Sequence, residues 1–489
     1  MNRITIGVLA LAALGSVAEA TEVAPRPNII VILTDDQGYG DFSCTGNPIL
    51  KTPNMDRLHD EGVSFKNFHV GPTCAPTRSA LLSGRHEFKN GVTHTILERE
   101  RMSLKTVTVA QALRSADYTT GIFGKWHLGD EEAYQPDQRG FDEVFIHGGG
   151  GIGQTYPGSC GDVPGNTYFD SVIKHNGRFE KTTGFCTDIF TAQAMTWMES
   201  VKGSKPFFCY IAYNAPHAPL SCPPRFKAPY VGKVPDEEAT FYGMIANIDE
   251  NVGQLMAKLK EWGIDRNTLV VLMNDNGGHA PACKIYNAGM RGSKATAWEG
   301  GTRAVSFWRW PGTFKPAAVD QLTSIIDVFP TFTELAGVTL EAKGIAQVEG
   351  RSLVPLLKHL RAPWADRKLV AHVGRWGGMK PGAPPEKYGT GIGQCSIRDS
   401  RYSLVRGKNG WELFDLEFDP GQTQNVADHK PEVVKRLSAD YDRWWVDVQP
   451  FLVNEDAYTT APKVNPFKEE YCKQVGRETT SGKGAERSE

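Results

Sequence analysis

The chain has 489 residues, with 54 Lys+Arg against 56 Asp+Glu and a formal net charge of −2. A hydrophobic fraction of 40 % excludes a disordered chain, and 51 Gly with 30 Pro follow no collagen-like period. The balanced charge excludes broad electrostatic capture of nucleic acid, and the length allows one large domain plus a smaller one.

The N-terminus reads as a secretory leader. Arg3 supplies the positive end, Ile4 to Val17 is uncharged and mostly apolar, and Ala18-Glu19-Ala20 gives a small-x-small cleavage pattern. The apolar run is shorter than the roughly 20 residues of a spanning helix. No later stretch is long and apolar enough, so no membrane span is expected after cleavage. The mature chain, from near Thr21, is expected to be exported, periplasmic or extracellular. Disulfides are permitted there, and the nine Cys are an odd number, so at least one should lack an intramolecular partner.

Asn28–Thr34, Pro206–Ala212 and Leu269–Met273 are near-continuous apolar runs, as in strands buried on both faces. Between the last two, Ile245, Ile248, Val252, Leu255 and Leu259 recur at helical spacing. Alternating strands and helices indicate an α/β fold. The three runs are followed by Asp35-Asp36, by Asn214 to His217 and by Asn274-Asp275-Asn276-Gly277. In open α/β sheets the ligand site lies beyond the carboxyl ends of the strands. Asp35, Asp36, Asp275 and Asn276 are hard oxygen donors, suited to Ca²⁺ or Mg²⁺ rather than Zn²⁺.

Cys74-Ala-Pro-Thr-Arg78 starts a predicted helix, with Pro76 in its first turn and Gly84 at its end. Cys74 and Arg78 share a face four residues apart, and a helix N-terminus beside an Arg favours an anion. A buried structural Cys is the alternative. From near Ala365 the pattern changes. Leu369-Val370, Cys395–Arg398, Tyr402–Val405 and Trp411–Leu416 read as short antiparallel strands, and Pro431 to Val448 as one amphipathic helix.

These motifs resemble the type I, formylglycine-dependent sulfatases of the alkaline phosphatase superfamily. The resemblance rests on Cys74-x-Pro76-x-Arg78 with Ser83-Gly84, on Gly124-Lys-Trp-His-Leu-Gly129, on Gln135 to Asp142 and on Asn274 to Gly277. The Lys294 segment ending Glu299-Gly-Gly301, and Glu412 to Leu416 with Asp419-Pro-Gly421, also match. Ser83 stands where Thr is more usual. The resemblance implies an alkaline-phosphatase-like large mixed sheet flanked by helices, with a smaller C-terminal α+β domain of a short antiparallel sheet and one helix. The expected division is a signal peptide at 1–20, a catalytic domain at 21–364, a C-terminal subdomain at 365–472 and a tail at 473–489.

It further implies hydrolysis of sulfate monoesters. Cys74 would be oxidised to formylglycine by a formylglycine-generating maturation enzyme, and the hydrated aldehyde would attack sulfur and later expel sulfate. Ca²⁺, less so Mg²⁺, would be held by Asp35, Asp36, Asp275, Asn276 and the converted Cys74. Arg78 would hold the nucleophile, Lys125 and His127 would bracket it, and His217 and Lys294 would contact the sulfate. His217 is the choice for general acid and His127 for assisting release of sulfate.

The expected substrate is a sulfated saccharide of the kind met in polysaccharide degradation, with galactose-type sugars sulfated at O4 as the narrower expectation. His372, Arg375 and Trp376 are the candidate sugar contacts, with packing of Trp376 at the domain interface as the alternative. The Gly148–Gly153 run is expected at the rim of the site. A phosphate or phosphonate monoester hydrolase of the same superfamily, or an inactive carbohydrate-binding homologue, are the competing readings. One metal cluster speaks against the first, and a complete residue set against the second.

Overall fold

A computed structural model of the chain describes residues 26–96, 98–155, 158–376, 391–455 and 465–477. The leader expected at 1–20, the loop from 377 to 385 and the tail beyond 477 lie outside the described residues.

Five parallel strands form the centre: β1 (Asn28–Thr34), β2 (Thr119–Lys125), β3 (Glu143–His147), β4 (Phe207–Ala212) and β5 (Thr268–Asn274). They lie in the order β5-β1-β4-β2-β3, with Val31 registered between Tyr210 and Val271. Antiparallel neighbours, Ser306–Arg309 beside β5 and Val172–His175 beside β3, help extend the sheet to ten mixed strands. Every residue of β1 is buried. Ile29, Val31 and Leu33 enter one apolar cluster while Ile30 and Ile32 enter another, so the period-2 alternation of a strand serves two cores. Helix α1 (Cys74–Ser83) lies on the first side through Ala80, Leu81 and Leu82. Helices α2 (Cys186–Val201) and α3 (Asp236–Glu261) lie on the other, through Phe190, Met198, Ile245, Ile248 and Val252.

The three strands read as apolar runs appear within a residue of their expected ends. Strands β2 and β3 are additional. In β2, Gly124 sits at φ +119°, and a Cβ there would lie 2.0 Å from the Ala212 carbonyl oxygen. A larger residue would separate β2 from β4 at the point where β2 delivers Lys125.

Strands β6 (Leu369–His372), β7 (Cys395–Arg398), β8 (Tyr402–Gly407) and β9 (Gly410–Asp415) form a second, antiparallel sheet in that order. Helix α4 (Pro431–Val448) covers it, with Leu437 against Ile397, Leu404 and Leu413. Arg398 on β7 ties this sheet to the catalytic region by a buried ion pair with Glu299, 2.7 Å away, at the start of the short helix Glu299–Thr302. Helix α5 (Pro466–Gln474) departs from expectation. It leaves the C-terminal strands and packs on the edge of the large sheet, with Phe467 edge-on to Phe179 at 5.0 Å and Glu470 bonded to Lys174 at 2.6 Å. Lys473, expected at the start of a tail, lies within this helix.

No helix among the described residues is long and apolar enough to cross a membrane. All nine cysteines are free thiols, so the odd count singles out none of them.

Candidate active site

The carboxyl ends of β1, β5, β2 and β4 converge with the N-terminus of α1. Main-chain bonds tie these ends together: Asp275 N–H donates to Thr34 O (3.0 Å), Asp35 N–H to Ala215 O (3.1 Å) and Tyr213 N–H to Leu33 O (2.9 Å). Asp35 and Asp36 leave β1, Asp275 and Asn276 leave β5, Lys125 ends β2, and His217 lies five residues beyond β4. Cys74 starts α1, and Gly84 ends it with its N–H on Ala80 O. All ten residues of α1 are buried, which explains why no amphipathic pattern marks it.

Arg78, one turn into α1, is fully buried. Its Nη2 donates to Asp275 Oδ2 (3.1 Å) and Asp35 Oδ2 (3.3 Å), and its Nη1 to Lys125 O (3.2 Å). Lys125 Nζ bonds Asp35 Oδ2. Asp36, at φ +64°, accepts from Lys294 Nζ (2.7 Å) and Asn276 Nδ2 (2.9 Å). Such backbone angles are uncommon for a non-glycine residue and cluster at functional sites. His127 is a second case, at φ +62°. Its Nε2 donates to Thr95 O at 2.7 Å, and its buried Nδ1 has no partner among the described residues.

Oxygen atoms of Asp35, Asp36 and Asp275 lie within 4.8 Å of one another. Asp35 Oδ1 and Asn276 Oδ1 are buried and accept no hydrogen bond from any described residue. An orphaned buried acceptor costs about 1–3 kcal/mol, and two of them beside three carboxylates fit a hard cation. Burial and the charge of Asp35 push Asp275 above the ordinary carboxylate range. Burial works the same way on Asp36, but Lys294 and His217 hold it well below that range. Burial and Lys294 push His217 down to about 4, and burial with Lys125 holds His127 well below its ordinary value. Burial raises the Cys74 thiol.

Asp35, Asp36, Cys74, Arg78, Lys125, His127, His217, Lys294, Asp275 and Asn276 are thus gathered around one pocket. His372 and Trp376 are not. His372 is fully buried, its ring stacked on Trp445 at 5.5 Å and its Nδ1 accepting from Gly374 N–H. Trp376 is 6 % exposed, edge-on to Phe88 at 5.5 Å and beneath the Arg99 guanidinium at 4.9 Å. Two aromatic rings locked into the seam between the sheets offer no face to a sugar, so packing is their role. Trp376→Ala is therefore expected to cost about 3–5 kcal/mol in chemical denaturation while leaving KM unchanged. Arg375 is exposed. Arg99 bonds the carbonyls on either side of it, of Gly374 and Trp376.

The glycine run at 148–153 also departs from expectation. Gly148 to Ile152 are buried against the site, and a Cβ at Gly150 would lie 3.0 Å from the His127 ring. Three further residues shape the pocket. Thr95 fixes the His127 ring through its carbonyl, and Tyr168 Oη donates to the carbonyls of Asn214 (2.8 Å) and His217 (2.6 Å). His147, opposite Lys125 at the end of β3, is fully buried; neither ring nitrogen is hydrogen-bonded among the described residues, and Nδ1 lies 4.0 Å from Asp162 Oδ2. Backbone carbonyls and aromatic props carry no spacing signal, which is why the sequence did not mark them.

The Sulfatase family model matches residues 27–338, and the model for the C-terminal region of N-sulphoglucosamine sulphohydrolase matches residues 293–443. Arylsulfatase J of Mus musculus is 29 % identical over 452 residues, spanning 84 % of this chain and 74 % of that protein. N-acetylgalactosamine-6-sulfatase of Mus musculus is 31 % identical over 449 residues, spanning 87 % and 81 %. The crystal structure of Ps i-CgsB in complex with k-i-k-neocarrahexaose superposes with a TM-score of 0.76 at 28 % identity, covering 89 % of this chain and 96 % of that one. A family model spanning well over half of the chain, on a fold that gathers the Cys74, Lys125, Asp275 and Lys294 motifs around one pocket, settles the assignment: the chain belongs to the sulfatase family, type I, of the alkaline-phosphatase-like superfamily, and is a sulfuric ester hydrolase.

Proposed function

We propose that the protein removes sulfate from a sulfated carbohydrate, using Cys74 converted to formylglycine and a Ca²⁺ ion held by Asp35, Asp36, Asp275 and Asn276. The observation that carries this reading is the pair of orphaned oxygens, Asp35 Oδ1 and Asn276 Oδ1, beside Cys74 at the start of α1. Carboxylate and amide oxygens in a closed cage suit Ca²⁺, whereas Mg²⁺ keeps several waters. The cation supplies Lewis-acid stabilisation of developing charge, and formylglycine supplies a nucleophilic oxygen.

The chain's own groups do the rest. Three cations, Arg78, Lys125 and Lys294, face three carboxylates, Asp35, Asp36 and Asp275. A divalent ion therefore leaves the pocket net positive, which selects an anionic ester. Lys125 and Lys294 stand as donors to sulfate oxygens, and Arg78 with the N-terminus of α1 orients the nucleophile. His217 donates Nδ1–H to Ala218 O at 2.6 Å, so Nε2 is the atom that passes a proton to the departing sugar oxygen. The incoming anion opposes the push of Lys294 and helps Nε2 take up that proton. His127 Nδ1, with no partner among the described residues, takes up a proton in the release of sulfate.

A maturation enzyme that generates formylglycine is the partner this requires, and export through the leader at 1–20 is the expected route. The relatives named for N-acetylgalactosamine 6-sulfate and crystallised with neocarrahexaose support a galactose-type sugar, and the 4-sulfate is the first arm to test. Sulfate release from a panel of defined sulfated mono- and disaccharides is the experiment. Turnover of sulfated glucosamine or fucose with inert galactose-type esters would overturn the sugar class. Arg375, exposed and with its backbone clamped, is the remaining sugar contact. Arg375→Ala is expected to raise KM for an oligosaccharide by about three- to tenfold, the value of one exposed hydrogen bond, with kcat unchanged.

A further inference from the structure

A second donor set shares this pocket. A carboxylate oxygen of Asp35, Cys74 Sγ and a ring nitrogen of His217 lie within 4.8 Å of one another. Cys74 is 2 % exposed and in no disulfide. Asp35 is fully buried, and its Oδ1 has no hydrogen-bond partner among the described residues. The bond from His217 Nδ1–H to Ala218 O leaves Nε2 with a lone pair, 3.8 Å from Asp36 Oδ2. Sulfur, imidazole nitrogen and one carboxylate oxygen make up the donor set of a thiophilic cation, in contrast to the all-oxygen set of Asp35, Asp36, Asp275 and Asn276. Ligand atoms on one tetrahedral Zn²⁺, bonded at about 2.0–2.3 Å, sit roughly 3.3–3.8 Å apart, a spacing that small rotations of these side chains reach.

We propose that the protein whose Cys74 remains a thiol binds one thiophilic divalent cation, Zn²⁺ or Cd²⁺, through Cys74 Sγ, His217 Nε2 and Asp35, to the exclusion of Ca²⁺. The thiol proton goes to solvent as the sulfur–metal bond forms, water completes four-coordination, and nothing is oxidised or reduced. The carboxylates Asp35, Asp36 and Asp275 offset Arg78, Lys125 and Lys294 in number, and the thiolate adds one further negative charge. Asp35 belongs to both donor sets, so the two cations compete. Conversion of Cys74 removes the sulfur and with it this affinity. The unconverted protein is then a distinct metal-bound state, and the identity of residue 74 decides which cation the pocket holds.

The test contains no sulfate ester, so its outcome is independent of the sulfatase reading. It uses full-length protein produced without a maturation enzyme, with retention of sulfur in the Cys74 peptide verified by mass. Cd²⁺ is titrated by ultraviolet absorption, which reports thiolate-to-metal charge transfer, and Zn²⁺ by calorimetry. One band saturating at one equivalent is expected, and Ca²⁺ should weaken it competitively. Cys74→Ser should abolish the band. His217→Gln should weaken binding by at least the about 10–100-fold that follows loss of a ligand's outer-shell partner. Cys209→Ala, which removes a buried thiol from β4, should leave the band and its affinity unchanged. Circular dichroism confirms that each variant is folded. No band, a band that survives Cys74→Ser, an affinity indifferent to His217→Gln, or indifference to Ca²⁺ would each overturn the proposal.

Discussion

Cys74→Ala is expected to keep the fold and lose sulfate release by about 10⁴-fold or more, the scale at which a covalent nucleophile fails. The fold should survive because little depends on the sulfur. Cys74 is buried at the first turn of α1, and the helix is held by Ala80, Leu81 and Leu82 in the apolar cluster and by Gly84 at its end. Removing a buried sulfur is a small-cavity change, on the order of 1 kcal/mol. The activity should not survive because, on the proposed mechanism, the nucleophilic oxygen is built on the side chain of residue 74. Cys209→Ala is the paired control. That thiol is equally buried, on β4 opposite Ile30 of β1, and its loss should cost stability without touching turnover. Kinetics and thermal denaturation on both variants separate a chemical role from a packing role. Full activity in Cys74→Ala would sink the nucleophile assignment, and lost activity with lost structure in both variants would reduce Cys74 to a core residue.

The legible parts of this fold were those where one physical signal dominated. Strands β1, β4 and β5 are buried on both faces and read as unbroken apolar runs. The C-terminal strands and α4 pack on one side only and read by alternation or by helical period. Strand β2 hides because Gly121 and Gly124 interrupt its apolar run, and Gly124 is there to let the Ala212 carbonyl approach. Lys125 and His127 were therefore found through the family motif and not through local pattern. The oxygen cage was legible as carboxylates at strand ends, a rule of α/β topology. Its supporting contacts, Thr95 to His127 and Tyr168 to the His217 loop, join residues far apart in sequence and leave no spacing. His372, Arg375 and Trp376 form one short run, yet only Arg375 faces solvent. Phe88 and Trp445 supply the partners that bury the other two, and both lie outside that run. Cysteine parity, which requires at least one unpaired thiol, is met by nine unpaired ones and so identifies none of them. A thiol such as Cys209 in a central strand packs as a small apolar side chain, so counting thiols says little about pairing.

Removing the divalent cation is expected to abolish turnover and to lower Tm by roughly 3 °C, reversibly on adding Ca²⁺. A cation that binds only the folded state contributes about 2.7 kcal/mol at a concentration 100 times its dissociation constant. Its loss leaves three buried carboxylates within 4.8 Å of one another and the orphaned oxygens of Asp35 and Asn276. Asp275→Asn should shrink the cation-dependent shift to about 1 °C or less and remove activity, because it takes away one negative charge and one of two acceptor oxygens, which now receive Arg78 Nη2 (3.1 Å) and Asp36 N–H (3.2 Å). Asp249→Asn is the contrast. Asp249 accepts from Asn54 N–H and Met55 N–H at the start of the helix Pro53–Glu61, so this variant should lower Tm yet keep the full response to Ca²⁺. The shift should also depend on pH. Without a cation, burial and Asp35 raise Asp275 above its ordinary value of 3.8. The folded, cation-free state then binds more protons than the unfolded state between that value and the raised one, so its stability falls as pH rises through this window. With the cation bound, Asp275 is ionised in the folded state and this loss disappears. Differential scanning fluorimetry with and without chelator should therefore show a smaller gap at pH 5 than at pH 8. A gap independent of pH, or one retained in Asp275→Asn, would mean that the ion binds somewhere other than this cage.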